Sequence, residues 1–347
     1  MTITQKDLAK MAGVAESTVS RALNDKPGVS RETREEILKL AEEHDYRPNL
    51  MARGLAREKT HMLALLLPDL KKPRHLQIVE AVERTFESTS HQVVVCNTRR
   101  SREKAADYLD LLKYNQFAGA LIVGDIPAEN KLLQLGWNEK NNLVLLNILL
   151  EEMALPCHLV NYRLEGWLAA EELTLSDSIT SNSPEKDAER GPVIMLMGSE
   201  MNYIEDERRE GFVSYCRENG ITTFSVCSDI SSREDGYEAF LEAADEHYPL
   251  PKGFYLTSNL PAAGLMEAIK RGGYMIPEDF QVVGTGRDYI ADLVSPELTV
   301  VDENIQEIAG DAAQTLLKIV REEEGKDALE KLIKVYDPEL RPGETTL

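Results

Sequence analysis

"ITQKDLAKMAGVAESTVSRALN", from Ile3 to Asn24, reads as two short helices joined by a glycine turn. Thr4 is placed as the N-cap of the first helix, with Asp7 three residues on. Leu8, Met11 and Ala12 give that helix an apolar face, and Gly13 is free to take a positive φ in the turn. The second helix, Glu16 to Leu23, turns Val19, Ala22 and Leu23 inward and leaves Ser17, Thr18, Ser20 and Arg21 outward. Ser30 caps a third helix in "RETREEILKLAEEHDY", whose buried side is predicted to carry Ile37, Leu38, Leu40 and Ala41. A helix-turn-helix of this kind projects its second helix into a DNA major groove.

The surrounding charge sharpens the reading. The 347 residues carry a formal net charge of −21, which would repel nucleic acid. Yet residues 1–60 hold eleven Lys/Arg and ten Asp/Glu, a net of +1, while the remainder holds 28 basic and 50 acidic residues, a net of −22. That asymmetry marks a boundary near residue 60. An acidic body suppresses non-specific attachment to polyanions, so DNA affinity must come from a local, oriented set of side chains.

Past the third helix, "RPNLMARGLAREKT" gives a helix of about two turns, opened by Asn49 after Pro48. From Met62 the pattern changes to alternating strands and helices. Apolar runs recur at "MLALLLP", "QVVVCN", "GALIVG", "NLVLLN", "CHLVN", "PVIMLMG", "TTFSVCS", "KGFYLTS" and "FQVVG". Amphipathic stretches such as "LQIVEAVERTFES" and "PAAGLMEAIKRGG" lie between them. This predicts parallel sheets covered by helices on both faces. About ten strands exceed one comfortable sheet, so two doubly wound lobes are expected. Ser176 to Gly191 reads as a polar loop in the second lobe, and the tail "KVYDPELRPGETTL" adds a last short strand.

With "AGVAESTVSRALN" followed by "VSRETREEILKLAEEHDYRPNLMARGLA", the chain resembles the LacI–GalR family of transcriptional repressors over nearly its whole length. Softer landmarks are "LLPDL", "RREGF", "LTSNLPAAGLMEAI", "VVGTG" and "SPELTVV". The fold implied is an all-α helix-turn-helix head (1–46), a hinge helix and linker (47–60), and an α/β two-lobed, doubly wound body like a periplasmic binding protein (61–347). Lobe 1 is drawn at 61–161 and 293–322, lobe 2 at 162–292 and 323–347. The resemblance implies a dimer on a pseudo-palindromic double-stranded operator, with a tetramer left open, and a small-molecule effector in the inter-lobe cleft. It places Glu16 and Ser17 at base edges and Arg21 on guanine. Thr4, Thr18, Ser20, Asn24, Arg34, Tyr46 and Asn49 are assigned to the DNA backbone. In the hinge, Ala52 and Arg53 face the minor groove and Leu55 wedges between the central base pairs.

For the effector, the resemblance points to Lys72, Arg74, Asn161, Arg208, Asn259, Gly286 and Glu303. Several depart from the family pattern. Leu260 follows Asn259 where an aspartate is usual, Gly286 and Asn161 stand for further aspartates, and Glu303 replaces a frequent glutamine. Acidic acceptors are thinned while Lys72, Arg74 and Arg287 are added nearby. This suggests an anionic effector such as a sugar phosphate or sugar acid, since an arginine fork suits phosphate and carboxylate alike. The alternatives are a pocket tuned to another ligand, and a regulator that ignores small molecules or answers to a protein partner.

Other classes fit poorly. The six histidines are scattered, "GTGRD" lacks the third glycine of a dinucleotide fingerprint, and no nucleophile or paired-carboxylate motif is present, so no catalytic site, cofactor or metal is expected. Four cysteines without close spacing argue for a reducing compartment. No apolar run reaches the roughly 18–20 residues of a membrane span, and no export signal is visible. A cytoplasmic protein associated with the bacterial nucleoid is the expectation.

Overall fold

The computed structural model describes residues 3–23, 27–44, 46, 61–114, 117–124, 142–150, 155–178, 191–198, 203–227, 230–246, 250–321 and 332–347. The chain forms two compact units, Met1–Thr60 and His61–Leu347.

In the first unit three helices, α1 (Gln5–Met11), α2 (Glu16–Leu23) and α3 (Arg31–Glu43), enclose a small core of Leu8, Ala9, Val19, Ala22, Ile37 and Ala41. Each begins where the local chemistry directs. The Thr4 hydroxyl accepts from the Asp7 N–H at 3.3 Å while the Thr4 N–H donates to Asp7 Oδ2 at 3.0 Å, closing a capping box. Gly13 turns the chain at φ +62°, a conformation that L side chains resist. Ser30 caps α3 by accepting from the Thr33 N–H at 3.2 Å. Two apolar residues depart from the expected faces: Met11 is 50% exposed and Leu38 46% exposed. Helices this short bury only a narrow stripe, and Ile37 and Ala41, one turn apart, fill it on α3.

The second unit contains two six-stranded sheets. Sheet 1 has the order β11-β5-β4-β3-β1-β2, formed by β1 (Met62–Leu67), β2 (Gln92–Asn97), β3 (Gly119–Val123), β4 (Leu143–Leu146), β5 (Cys157–Val160) and β11 (Ile333–Tyr336), all parallel. Sheet 2 repeats the pattern as β12-β10-β9-β8-β6-β7, with β6 (Val193–Met197), β7 (Thr223–Cys227), β8 (Gly253–Leu256), β9 (Gln281–Thr285) and β10 (Thr299–Asp302) parallel, and β12 (Glu339–Arg341) antiparallel to β10. The inner strands are buried on both faces, which is why they read as unbroken apolar runs.

Helices cover both sheets. α4 (Pro73–Phe86) and α11 (Ile305–Val320) pack on one face of sheet 1, and α5 (Arg102–Lys113) on the other. α6 (Tyr162–Ser178) and α7 (Tyr203–Glu218) cover one face of sheet 2. α8 (Arg233–Glu246), α9 (Asn259–Arg271) and the short α10 (Tyr289–Leu293) lie on the opposite face.

Between the two sheets the chain passes three times, between Val160 and Tyr162, between Asp302 and Ile305, and between Tyr336 and Glu339. This corrects two of the expected lobe segments. β10 belongs to lobe 2 although 293–322 was drawn in lobe 1, because Thr299–Val301 pair with Val283–Thr285 of β9. Likewise β11 belongs to lobe 1 although 323–347 was drawn in lobe 2, because Ile333–Tyr336 pair with Cys157–Val160 of β5. The tail supplies two strands, one to each sheet, where a single strand was expected. The loop expected from Ser176 starts later, since α6 runs to Ser178; residues 179–190 lie outside the described residues. Among the described residues, no helix is long and apolar enough to cross a membrane, and no cluster of three or more His, Cys, Asp or Glu could hold a metal ion.

Candidate functional site

Two surfaces carry the chemistry, one in each unit. In the head, the side of α2 opposite Val19 and Ala22 presents Glu16, Ser17 and Arg21 to solvent, with Thr18 and Ser20 half-buried beside them. Gln5, which sequence reasoning passed over, ties the helices together by donating from Nε2 to the Glu16 carbonyl at 3.2 Å. Thr4 is engaged as the α1 cap, Arg34 is half-buried on α3, and Tyr46 packs against the head core with its N–H on the Ala41 carbonyl at 2.8 Å. Asn24, Asn49, Ala52, Arg53 and Leu55 lie outside the described residues.

In the body, a polar cleft, partly open to solvent, lies at the carboxyl ends of strands of both sheets. Doubly wound sheets bind ligands there, where strand order reverses. Six of the seven expected effector residues line it: Lys72, Arg74, Arg208, Asn259, Gly286 and Glu303. Asn161 does not. It sits on the first crossover, where Oδ1 accepts from the Leu164 N–H at 3.1 Å and Nδ2 donates to Asp337 Oδ1 at 2.8 Å on the third. Its amide is used to join two crossovers and to open α6. Arg287 has an exposed guanidinium 3.4 Å from Asp292, while its carbonyl accepts from Gln77 Nε2 at 2.8 Å, linking lobe 2 to lobe 1.

The floor of the cleft is a buried network of charges. Arg208, 2% exposed, has Nε 3.0 Å from Glu165 Oε1 and Nη1 3.2 Å from Glu205 Oε1, and Nη2 donates to Thr285 Oγ1 at 3.3 Å. Glu165 Oε1 also accepts from the Tyr255 hydroxyl at 2.9 Å and from the Thr285 hydroxyl. Arg74, from lobe 1, places Nε 3.2 Å from Glu303 Oε1 and donates from Nη2 to the Tyr162 hydroxyl at 2.8 Å. The Tyr162 ring lies under the Arg208 guanidinium, 4.9 Å from ring centre to Cζ. A continuous polar path therefore runs from lobe 1 through Tyr162 to lobe 2.

Burial raises the Glu303 pKa, and the neighbouring Arg74 only partly offsets this. Asp288, on the rim, caps α10 by accepting from the Ile290 and Ala291 N–H groups at 2.9 and 3.1 Å; burial raises its pKa too. Beneath Lys72, burial works against the Asp69 charge, but His75, the Lys71 N–H and Arg100 outweigh it and hold the carboxyl far below its usual range. Asn259 fixes the loop after β9: its Oδ1 accepts from the Thr285 N–H at 3.0 Å and its Nδ2 donates to the Gly286 carbonyl at 2.9 Å.

Sequence reasoning missed Glu165, Glu205, Tyr162, Tyr255, Thr285, Asp288 and Asn147. Glu205 carried a signal, three residues before Arg208 on one helix face. Glu165 carried a weaker one, an acid among the apolar positions Tyr162, Ala169 and Leu173 of α6. The others come from separate elements, Tyr162 at the start of α6, Tyr255 and Thr285 in strands, Asn147 after β4 and Asp288 at the cap of α10, and no local spacing joins them.

A helix-turn-helix head joined to a body of two doubly wound lobes around a polar cleft is the architecture of a DNA-binding regulator. The profile of bacterial regulatory proteins of the lacI family matches residues 4–49, and that of the periplasmic binding protein-like domain matches residues 191–346. The ribose operon repressor of Halalkalibacterium halodurans is 28% identical over 317 residues, covering 91% of this chain and 89% of that one. The fold matches the lac repressor dimer bound to operator and the anti-inducer ONPF, with a TM-score of 0.83, 21% identity and complete coverage of both chains. It also matches the transcriptional regulator CelR in complex with cellobiose, with a TM-score of 0.67, 21% identity and 99% coverage of both. The chain joins a DNA-binding domain of the lacI family to a periplasmic binding protein-like domain, the domain pair of LacI-type transcriptional regulators.

Proposed function

We propose that this chain represses transcription as a homodimer on a pseudo-palindromic operator, and that a small sugar or sugar derivative in the body's cleft alters its grip. The observation that carries the reading is α2, buried along Val19 and Ala22 and open along Glu16, Ser17 and Arg21. In this reading Arg21 donates bidentately to guanine, Glu16 accepts from cytosine, and each correct pairing is worth about 1–3 kcal/mol of discrimination. Two copies are needed because one helix spans only a half-site. The hinge residues Ala52, Arg53 and Leu55 are proposed for the minor groove at the operator centre.

Support for a switch comes from the body. Three crossovers join its lobes, and Arg74, Gln77, Tyr162 and Glu303 bridge them at the cleft. A ligand that rearranges these contacts biases the angle between the lobes, with a coupling of about 1–3 kcal/mol typical of allosteric pairs. The relatives support both halves: the solved lac repressor is a dimer on operator, and solved CelR holds cellobiose. One observation favours a second reading, in which no effector is used: both cleft arginines already have carboxylate partners within the protein.

Selection of bound duplexes from a random pool, followed by gel-shift titration with sugars present, tests the proposal. A two-fold-symmetric motif whose affinity changes at least fivefold with a ligand is expected. Absence of any sequence preference would overturn the repressor reading, and a motif indifferent to all ligands would favour the second one.

A further inference from the structure

We propose that the ligand of the cleft is a polyhydroxylated molecule carrying a protonated amine, an amino sugar in chemical class, with its ammonium group on Glu303. The inference rests on the cleft being the effector site and specifies what enters it.

Charge balance comes first. Among the described residues, the half-buried Arg74 and the buried Arg208 stand against the buried Glu165, Glu205 and Glu303, one more acid than base. Adding the rim residues Lys72 and Asp288 leaves the surplus unchanged. Carboxylates that the sequence alone did not bring into the cleft thus reverse the expectation of an anionic ligand. A phosphate or carboxylate entering here would find Arg74 Nε and Arg208 Nε without hydrogen-bond partners among the described residues, but each within 3.2 Å of a carboxylate and beside further buried glutamates, a like-charge approach that is costly where water is scarce.

Unfilled hydrogen-bonding capacity comes second. Glu303 is 3% exposed and lines the cleft, and its Oε2 has no hydrogen-bond partner among the described residues. Asn147, 4% exposed and also lining the cleft, uses Oδ1 to accept from the Val160 N–H at 2.9 Å, while its buried Nδ2 has no acceptor among them. Buried polar atoms of this kind ask for partners. A donor for Glu303 and an acceptor for Asn147 are what an ammonium and a neighbouring hydroxyl supply. The surplus charge selects ammonium over hydroxyl at the first position. Bringing a cation to Glu303 also weakens the hold of Glu303 on Arg74, and so changes a bridge between the lobes.

The test is calorimetry on the purified full-length protein with D-glucose, D-glucosamine, D-glucuronate and D-glucose 6-phosphate, and with the matching galactose series. At least one amino sugar is expected to bind tenfold or more tightly than its neutral parent and than the acids and phosphates. Glu303→Gln should bring that ratio within about threefold, while Glu303→Asp, which keeps the charge, should retain the preference. Tighter binding of a neutral or anionic sugar would overturn the inference. So would an unchanged ratio in Glu303→Gln, or no amino-sugar binding by protein that still selects operator DNA. Loss of operator selection itself is a different failure, that of the repressor reading.

Discussion

At Arg208 one guanidinium serves Glu165 and Glu205 in a place almost without solvent. Deleting one member of such a set leaves the others charged and buried, a cost far above the net worth of the pair. Arg208→Ala is therefore expected to destabilise the body by about 3–5 kcal/mol, lowering its thermal midpoint by on the order of 10 °C. A shift below about 2 °C in calorimetric melting would mean that the glutamates are solvated after all. His158 gives a pH-dependent counterpart. It lies 2.7 Å from the Tyr336 hydroxyl and 3.0 Å from Thr315 Oγ1, and burial pushes its pKa down to about 4 from 6.5, with Asp311 opposing. A depressed histidine is neutral in the fold, so the unfolded chain binds more protons between those two values. Stability is then lost as pH falls from 6.5 toward 4, by about 3 kcal/mol in all. Replacing it by Gln should flatten the fall in urea midpoint between pH 7 and pH 4.5, and an unchanged slope would refute the assignment. At this scale Arg74, Arg208, Asn259 and Glu303 were legible because motif resemblance marks single positions. Glu165, Tyr255 and Thr285 were not, since they converge from a helix and two strands far apart in the chain.

Among the elements, the α6–α7 pair depends on two glycines that meet back to back. A Cβ built on Gly211 would fall 1.8 Å from the Arg163 carbonyl oxygen, and one on Gly166 1.9 Å from that of Arg208. The helices can approach this closely only without those side chains, and Glu165 and Arg208 sit beside the contact. Gly211→Ala should force them apart, costing about 1–3 kcal/mol or more, and should separate Arg208 from Glu165. Impaired ligand binding together with a lower melting point is the expected pair of outcomes; a variant equal to the parent in both would show that the helices adjust freely. The capping box predicts a milder effect, a loss of about 1 kcal/mol in head stability for Thr4→Ala, readable as earlier loss of the head's helical signal in urea. Both caps were legible because Thr4–Asp7 and Ser30 follow local spacing rules. The inner strands among β1 to β9 were legible because burial on both faces writes itself as apolar runs, and the edge strands β2 and β7 because their apolar residues still cluster. Their partners were not. β11 and β12 are four and three residues long and largely exposed, and only the three crossovers decide that one joins each sheet.

For the whole molecule the governing quantity is uneven charge: +1 over residues 1–60 against −22 over the rest. A dimer neutralising about 6–10 phosphates releases as many counterions, so operator affinity should fall by about 10³–10⁵ between 50 and 200 mM salt. Acidic residues of the body act on DNA only within a Debye length, about 8–10 Å at physiological salt. Their repulsion therefore bears on loosely held, non-operator complexes at low salt. It should bear less on the proposed operator complex, in which base contacts add to the phosphate contacts. Substituting a set of exposed body acids, such as Glu80, Glu83 and Glu87, by glutamine should accordingly strengthen binding to random duplex while leaving operator discrimination at 200 mM salt within about twofold. Fluorescence anisotropy against both duplexes across a salt series separates the two effects. If random-sequence affinity stayed constant at the lowest salt, the acidic body would have no part in selecting DNA.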